Sequence, residues 1–306
     1  MQQNSITAVA LPIALGIVML GLGLGLTKDD FKRVLVYPRA VLVGLVCQTI
    51  LLPLVCFGIA KTFGLPPELA VGLMLLAASP GGATANLFSH LAGGDVALNI
   101  TLTATNSVLS LLSLPVIVNL SLAHFMGEGR AIPLQFDKVV QVFAIVLVPV
   151  AIGMLVRARK PMLAYRLDRP VRIASALVLA LVILGAIAKE RAHLGDYFRQ
   201  VGTAALAFNL ASLLLGYVVP RLVSLPKRQS LAIGMEIGVH NGTLAIAIAS
   251  SPFLLNNPTM AIPPAIYSII MFFTAGLFGY LVSPRKRDAE APAAVPVVPP
   301  APESSP

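Results

Sequence analysis

The 306-residue chain carries too little charge and too much apolar surface for a water-soluble domain. Residues of the set AVILMFWYC make up 57% of it, only 11% are charged, and its mean hydropathy is +0.87. Soluble domains are about 25% charged. The composition therefore excludes a soluble globule, a disordered chain, a collagen-like chain and a disulfide scaffold, and it predicts a polytopic membrane protein.

The apolar residues fall into nine segments, each near the ~20 residues that a helix needs to cross a bilayer. The predicted fold is thus all-α, with nine transmembrane helices separated by charged or Pro/Gly-rich stretches. Their approximate bounds are Ile6–Leu26, Ala40–Ala60, Leu69–Leu91, Val96–Leu122, Val139–Val156, Val171–Ala188, Val201–Val219, Leu231–Leu255 and Pro264–Val282. Between the first two, Thr27 is predicted to cap a short interfacial helix that runs to Arg39.

The formal charge of +9 comes from basic residues that cluster on one side of the predicted membrane. With the N-terminus outside, most of the 22 Lys and Arg residues lie in cytoplasmic segments. This positive-inside bias predicts an outside N-terminus and a cytoplasmic C-terminus. It explains the charge without a nucleic-acid partner, and none is expected.

Two stretches of the chain resemble each other. Residues 65–74 and 225–236 both pass from Leu-Pro into Leu-Ala-x-Gly, and each continues into a helix-breaking sequence, residues 80–86 and 238–243. In the predicted topology the two stretches run in opposite directions, which is the pattern of an inverted repeat. The breaks must be buried or line a cavity, because backbone groups freed inside a membrane cannot face lipid. A proline kink or a small-residue packing motif is the alternative.

Glu236 is the only acidic residue in the interior of a predicted span. Placing a charged group there costs at least ~2.5–3.5 kcal/mol, so it should face a cavity lined by water or protein. The favoured interpretation is a binding site for a cation or a proton. A protonated carboxyl bonded to a neighbouring helix is the structural alternative.

Polar side chains cluster around these features. Asn99 and Thr103 share a helix face at i and i+4, and Asn106 continues that face at i+7. Their oxygens suit a hard cation such as sodium, whereas hydroxyls bonded back to their own helix would have no such role. His240 is compatible with three roles: a proton carrier, a neighbour of a sodium site or a hydrogen-bonding residue. It has no partner spaced to form a transition-metal site.

Two motifs carry a resemblance to a known family. The run from Ser79 to Asn86, followed by Leu91 to Leu98, and the run from Glu236 to Asn241 resemble the bile acid:sodium symporter family, which includes bacterial homologues of the apical sodium-dependent bile acid transporter. The likeness covers nearly the whole chain. It implies an inverted-repeat core domain with two crossing discontinuous helices, and a panel domain.

The resemblance also implies domain bounds and site residues. Residues 1–38 would form panel helix 1 and the interfacial segment, 39–124 and 201–284 the two core repeats, 125–200 panel helices 5 and 6, and 285–306 a disordered cytoplasmic tail. The implied sodium ligands are Asn86, Asn99, Thr103 and Glu236 at one site, and Gln48, Glu236, Ile237, Val239 and His240 at the other. The implied substrate contacts are Ala83, Thr84 and Asn241.

Three positions depart from the family pattern. Ala85 and Asn99 stand where serines are common, and His240 stands where a glutamine is common. These departures leave open whether one or two sodium ions bind, and whether a proton replaces the second ion.

The predicted function is sodium-coupled symport of a small organic anion by alternating access, in a bacterial inner membrane. The anion would be bile-acid-like or a keto or hydroxy monocarboxylate such as pantoate. The alternatives are a proton-coupled carrier, an uncoupled carrier and a channel. An intramembrane enzyme is not expected, because such enzymes need paired acids or a nucleophile with its base. Sodium is the only metal expected, the partners are the anion and the bilayer, and a monomer is compatible with the sequence.

Overall fold

The structure is a computed structural model that describes residues 23–127, 136–167, 194–251 and 254–283, with a few positions from 16 to 21 and from 170 to 177. Most of the predicted first and sixth spans, and the predicted disordered tail, lie outside the described residues. The described ranges consist of helices, the loops between them and one isolated antiparallel bridge. The all-α prediction is confirmed for this part of the chain.

Ten helices are named here in chain order. They are α1 (Lys28–Lys32), α2 (Pro38–Thr62), α3 (Pro67–Ala78), α4 (Ala83–Leu91), α5 (Val96–Met126), α6 (Phe136–Arg159), α7 (Leu194–Leu222), α8 (Lys227–Gly238), α9 (Gly242–Ser250) and α10 (Ile262–Val282). In the part of the chain that the structure describes, four stretches are long and apolar enough to cross a membrane: α2, α5, Phe198–Leu222 within α7, and Pro258–Val282. The count of nine spans stays a prediction.

The interfacial helix is shorter than predicted. Thr27 does cap it, because its hydroxyl accepts from the Asp30 backbone and the Asp30 carboxylate accepts in return from the Thr27 N–H. The helix ends at Lys32 rather than at Arg39, and a 3-10 turn over Arg33–Leu35 follows. Pro38 explains why helical geometry does not continue to Arg39, since a proline disfavours the helical conformation in the residue before it, here Tyr37 with φ −122° and ψ 44°, and can begin the next helix.

Helix α2 contains a π-helical turn at Cys47–Leu51, in which the Leu52 N–H donates to the Cys47 carbonyl. Pro53 follows immediately and has no backbone N–H to continue the α-helical ladder. Such turns re-aim side chains and are frequent at functional sites. Here the turn carries Gln48, whose side chain is buried.

Helices α3 and α8 lie at the centre of the bundle. Every residue of α3 from Leu69 to Ala78 is buried, and so is every residue of α8 from Ser230 to Gly238. Helix α3 packs against α2 and α5, and α8 packs against α4, α5 and α7. The outer helices instead expose apolar rows at i, i+4 spacing, such as Leu112, Val116 and Leu120 on α5. An apolar face of this extent is suited to lipid.

Both spans that the sequence predicts to be broken are interrupted. The third divides into α3 and α4, and the eighth into α8 and α9. The eighth also ends earlier than predicted, at Ser250 instead of Leu255. Ser251, the residue after the helix, is extended with φ −66° and ψ 127°, which ends helical geometry. Residues 254–255 form a turn, and Asn256 is left-handed with φ 47°.

Candidate functional site

The two helix breaks meet and pair with each other through their backbones. Gly81 and His240 form the isolated antiparallel bridge. The Gly82 N–H donates to the Val239 carbonyl at 3.1 Å, and the Asn241 N–H donates to the Pro80 carbonyl at 2.8 Å. Groups that would otherwise be buried without partners are therefore satisfied across the crossing.

Four helix ends converge at this crossing. Helices α3 and α8 end there and bring the negative ends of their dipoles, whereas α4 and α9 begin there and bring positive ends. Asn241 caps α9, since its Oδ1 accepts from the Leu244 N–H at 3.0 Å. Helix α4 begins after Gly82 and has no side-chain cap. The arrangement can hold a cation and an anion close together.

The first polar cluster, here called the carboxylate pocket, consists of Asn99, Thr103, Asn106 and Glu236. Glu236 is 0% exposed, and three side chains of α5 donate to its carboxylate. Asn99 Nδ2 and Thr103 Oγ1 lie 3.1 and 2.6 Å from Oε2, and Asn106 Nδ2 lies 3.3 Å from Oε1. The charge is thus held between two helices rather than exposed to lipid.

Gly81 covers the carboxylate pocket from the first break. A Cβ added at Gly81 would collide with the Glu236 carboxyl group. The absence of a side chain at this position therefore allows the first break to approach the acid on the second interrupted helix. This contact explains why a glycine occupies the centre of the first break.

Two side chains that donate to the carboxylate, Asn99 and Asn106, each keep a buried Oδ1 with no hydrogen-bond partner in the described part of the chain. Oδ1 of Asn86, on α4, is also buried without a partner there. Buried polar atoms are normally paired, and an unpaired one in a folded protein calls for an explanation such as a bound ion or water. Amide and carboxylate oxygens are the donors that a hard cation prefers. The set therefore fits a cation.

The second polar cluster, here called the imidazole pocket, consists of Gln48, Ser79 and His240. Gln48 Nε2 donates to the Ser79 carbonyl at 2.9 Å and to the Ala77 carbonyl at 3.2 Å. His240 Nδ1 lies 3.1 Å from the same Ser79 carbonyl. Because a carbonyl only accepts, Nδ1 carries the proton, and Nε2 and Gln48 Oε1 are left without partners among the described residues.

Aromatic residues hold the His240 ring in place. The Phe208 ring lies nearly parallel to it at 5.8 Å, and the Tyr267 ring lies at 5.5 Å. Tyr267 and Asn209 also donate to the Gly238 carbonyl at the end of α8. This end of α8 is therefore anchored to both α7 and α10.

The structure brings the predicted sodium ligands to the crossing in two groups. Asn99, Thr103 and Glu236 contact one another, and Asn86 Oδ1 is buried with no partner among the residues that the structure describes. Gln48 and His240 meet at Ser79, and among the described residues their side-chain hydrogen bonds do not reach Glu236. Ile237 and Val239 are both buried, and the Val239 carbonyl accepts from Gly82.

The predicted substrate contacts lie at the two helix starts. Thr84 is half-buried in the first turn of α4, and Asn241 uses its side-chain oxygen to cap α9. The Ala83 side chain lies outside the described residues. An apolar cleft reaches the crossing at Pro80 and Leu244. The rest of its lining is Met19, Leu26, Phe31, Ser107, Val108, Ser110, Leu111, Val150 and Met154.

Two elements of the site were missing from the predicted ligand set. The sequence places Asn106 on the polar face of α5 but does not by itself assign it to a site. Its i+7 spacing from Asn99 is the signal that could have included it in the ligand set. The Ser79 carbonyl, which joins Gln48 to His240, is a backbone atom, and no residue type marks it. Its role becomes visible only once the crossing is folded.

Interrupted helices that meet around a buried polar site are typical of secondary transporters. Residues 12–196, more than half of the chain, match the Sodium Bile acid symporter family. The chain belongs to this family, as the two motifs predicted. The family consists of transporters, and with the apolar helices this membership defines a multi-pass membrane protein.

Three relatives illustrate the range of similarity. The uncharacterized sodium-dependent transporter YocS of Bacillus subtilis is 29% identical over 257 residues, covering 84% of this chain and 78% of its own. The probable sodium/metabolite cotransporter BASS1 of Arabidopsis thaliana is 29% identical over 265 residues, 84% of this chain and 62% of its own length. The rabbit ileal sodium/bile acid cotransporter is 26% identical over 294 residues, 94% and 84% of the two chains.

Proposed function

We propose that this protein is a sodium-coupled symporter of a small organic anion, working by alternating access in a bacterial inner membrane. One observation carries the proposal: the only mid-span acid, Glu236, is fully buried beside amide oxygens that have no partner among the described residues. An ionised carboxylate that is buried among unpaired oxygens needs a compensating positive charge. The relatives named for sodium-dependent transport support sodium as that charge.

In this proposal the two pockets take one sodium ion each, or the carboxylate pocket takes the only one. Glu236 supplies the negative charge, and Asn86, Asn99 and Thr103 supply neutral oxygens. Gln48 and His240, with backbone oxygens at Ile237 and Val239, form the second set, in which Glu236 also takes part. Sodium is transported together with the anion and is not a resident cofactor.

The cleft next to the crossing supports an anion with an apolar body. Apart from Ser107 and Ser110, the lining is apolar, and both of these hydroxyls donate to backbone carbonyls of their own helix. A carboxylate in the cleft would find its partners at the starts of α4 and α9, near Ala83, Thr84 and Asn241. A bile-acid-like anion or a keto or hydroxy monocarboxylate such as pantoate has this combination of features.

The two sides of the cleft support alternating access. Pro80, Ser107 and Leu244 lie in the proposed core, residues 39–124 and 201–284, whereas Met19 and Val150 lie in the proposed panel, residues 1–38 and 125–200. A rocking motion of one domain against the other would open the cleft first to one side of the membrane and then to the other. The N-terminus would be outside and the C-terminus, with the tail 285–306, in the cytoplasm.

Purified protein in proteoliposomes tests the proposal. A thermal-shift screen of monocarboxylates and bile acids, with and without sodium, selects the anion, and uptake of that anion is then followed under an inward sodium gradient. We expect accumulation above equilibrium with sodium and none with potassium. Accumulation driven by a pH gradient alone would instead favour the proton-coupled carrier, and failure of counterflow would favour a channel.

A further inference from the structure

Asn106 lies at the edge of the carboxylate pocket, on the turn of α5 that follows Thr103. Its side chain is buried, with 2% of the residue exposed. Its Nδ2 is 3.3 Å from Glu236 Oε1, whereas Asn99 and Thr103 both donate to Oε2. Asn106 is thus the one side chain of α5 seen to reach the second oxygen of the carboxylate.

The other end of the same amide has no partner in the described ranges, because Asn106 Oδ1 is buried and accepts no hydrogen bond there. An ionised carboxylate only accepts, so the amide must present its nitrogen to Glu236. The carbonyl oxygen is then left for another positive group. A buried amide oxygen without such a group destabilises the folded protein.

We propose that Asn106 is a further cation ligand of the carboxylate pocket, with Nδ2 orienting Glu236 and Oδ1 coordinating the ion. The inference rests on the proposed function, because it concerns the same cation. It places three successive polar residues of one α5 face, at positions 99, 103 and 106, around a single ion and its counter-charge.

The test must separate a ligand from a residue that only orients Glu236. Asn106→Ala removes both ends of the amide. Asn106→Asp keeps an oxygen at the position of Oδ1 but replaces the donor with a second oxygen and adds a negative charge. At alkaline pH, a ligand role predicts that Asp preserves sodium binding, whereas a purely orienting role predicts that it is as harmful as Ala.

The measurement is the sodium concentration that gives half of the sodium-dependent thermal stabilisation of the purified full-length protein, with choline replacing sodium. We expect Asn106→Ala to raise this concentration about tenfold, the equivalent of one ~1.4 kcal/mol interaction. We expect Asn106→Asp to leave it unchanged or lower. Thr105→Val is the matched control, because the hydrogen bond of the Thr105 hydroxyl in the described ranges goes to the Thr101 carbonyl of its own helix and not to the carboxylate pocket.

The experiment distinguishes a failure of the proposed function from a failure of the proposed role of Asn106. No sodium response in the natural protein would overturn the proposed function, and the role of Asn106 with it. A normal sodium response in that protein, together with an unchanged value in Asn106→Ala or a raised value in Asn106→Asp, would overturn the role of Asn106 alone. If the Ala variant does not fold, the Asp variant decides the question.

Discussion

The carboxylate pocket and the imidazole pocket adjoin the same crossing but are formed by different chemical groups. The carboxylate pocket joins a charged side chain of α8 to three polar side chains of α5. The imidazole pocket contains no acidic side chain and is organised around one backbone carbonyl, that of Ser79. The difference teaches that a helix break can serve a site either by making room for a charge or by providing the polar backbone group itself.

Because of this difference, we expect the two pockets to contribute unequally to cation affinity. A hydrogen bond or ligand contact that involves a charged group is roughly twice as strong as a neutral one. The carboxylate pocket should therefore supply most of the cation affinity, and the imidazole pocket should adjust it. Substitutions in the two pockets should differ accordingly in the size of their effects.

The largest effect is expected for Glu236→Gln, which keeps the shape of the side chain and removes the charge. We expect sodium-driven uptake in proteoliposomes to fall at least ~100-fold, corresponding to roughly 2.7 kcal/mol or more of lost cation binding. Sodium-dependent thermal stabilisation should disappear as well, while the amount of protein in the membrane stays similar.

Glu68→Gln is the matched control, because Glu68 lies in the first turn of α3, outside both pockets. It removes the same charge and should leave uptake nearly unchanged. Normal sodium-driven uptake in the Glu236→Gln protein would refute the assignment of the cation site to the carboxylate pocket.

A smaller loss is expected for Gly81→Ala, which tests whether the first break serves the carboxylate pocket by leaving room. The new methyl group would collide with the Glu236 carboxyl, so either the crossing or the acid must move. We expect the sodium concentration for half-maximal uptake to rise about thirtyfold, an effect of ~2 kcal/mol.

Gly82→Ala is the comparison variant for Gly81. A Cβ there would lie 3.3 Å from Thr84 Oγ1 and 3.6 Å from the His240 carbonyl, distances that a small side-chain adjustment accommodates. Its sodium dependence should change by less than ~3-fold. Equal effects of the two substitutions would show that the glycines serve the backbone of the break and not the space above Glu236.

The two pockets also differ in how far sequence reasoning could predict them. Glu236 stood out because every other acid falls outside the predicted span interiors, and the proline and glycine of the first break marked an interruption. The i, i+4 spacing of Asn99 and Thr103 placed them on one face. These signals are residue types and helical spacings, and both can be read directly from the local sequence.

What could not be predicted depends on backbone geometry. The π-helical turn at Cys47–Leu51 decides where Gln48 points, yet Pro53 alone does not specify such a turn. The joint use of the Ser79 carbonyl by Gln48 and His240 requires two segments 161 residues apart to meet. Pro38 was a sufficient sequence signal that the interfacial helix would stop before Arg39, although it does not specify the change to a 3-10 turn after Lys32.

A moderate effect is expected in the imidazole pocket from His240→Leu, and a smaller one from His240→Gln. Leucine removes the donor to the Ser79 carbonyl, whereas glutamine can still supply an amide N–H there. We expect the sodium concentration for half-maximal uptake to rise about fivefold with leucine and less than ~2-fold with glutamine. Uptake measured across a pH series tests proton coupling separately. A carrier that takes its proton on His240 would lose pH-driven uptake in both variants, because both lack the imidazole.

A smaller effect than that of His240→Leu is expected from a coupling between Gln48 and His240. Because both donate to one carbonyl, the first loss removes one of two partners and the second leaves that carbonyl with neither side chain. The double variant Gln48→Leu/His240→Leu should therefore raise the half-saturating sodium concentration more than the two single variants combined, by a factor of about 2–3, which is a coupling of ~0.5 kcal/mol.

Gln48→Leu combined with Thr103→Val is the matched cycle, since the second residue belongs to the carboxylate pocket. Additivity in the first cycle, or equal coupling in both, would mean that the Ser79 carbonyl does not join Gln48 and His240 into one pocket distinct from the carboxylate pocket.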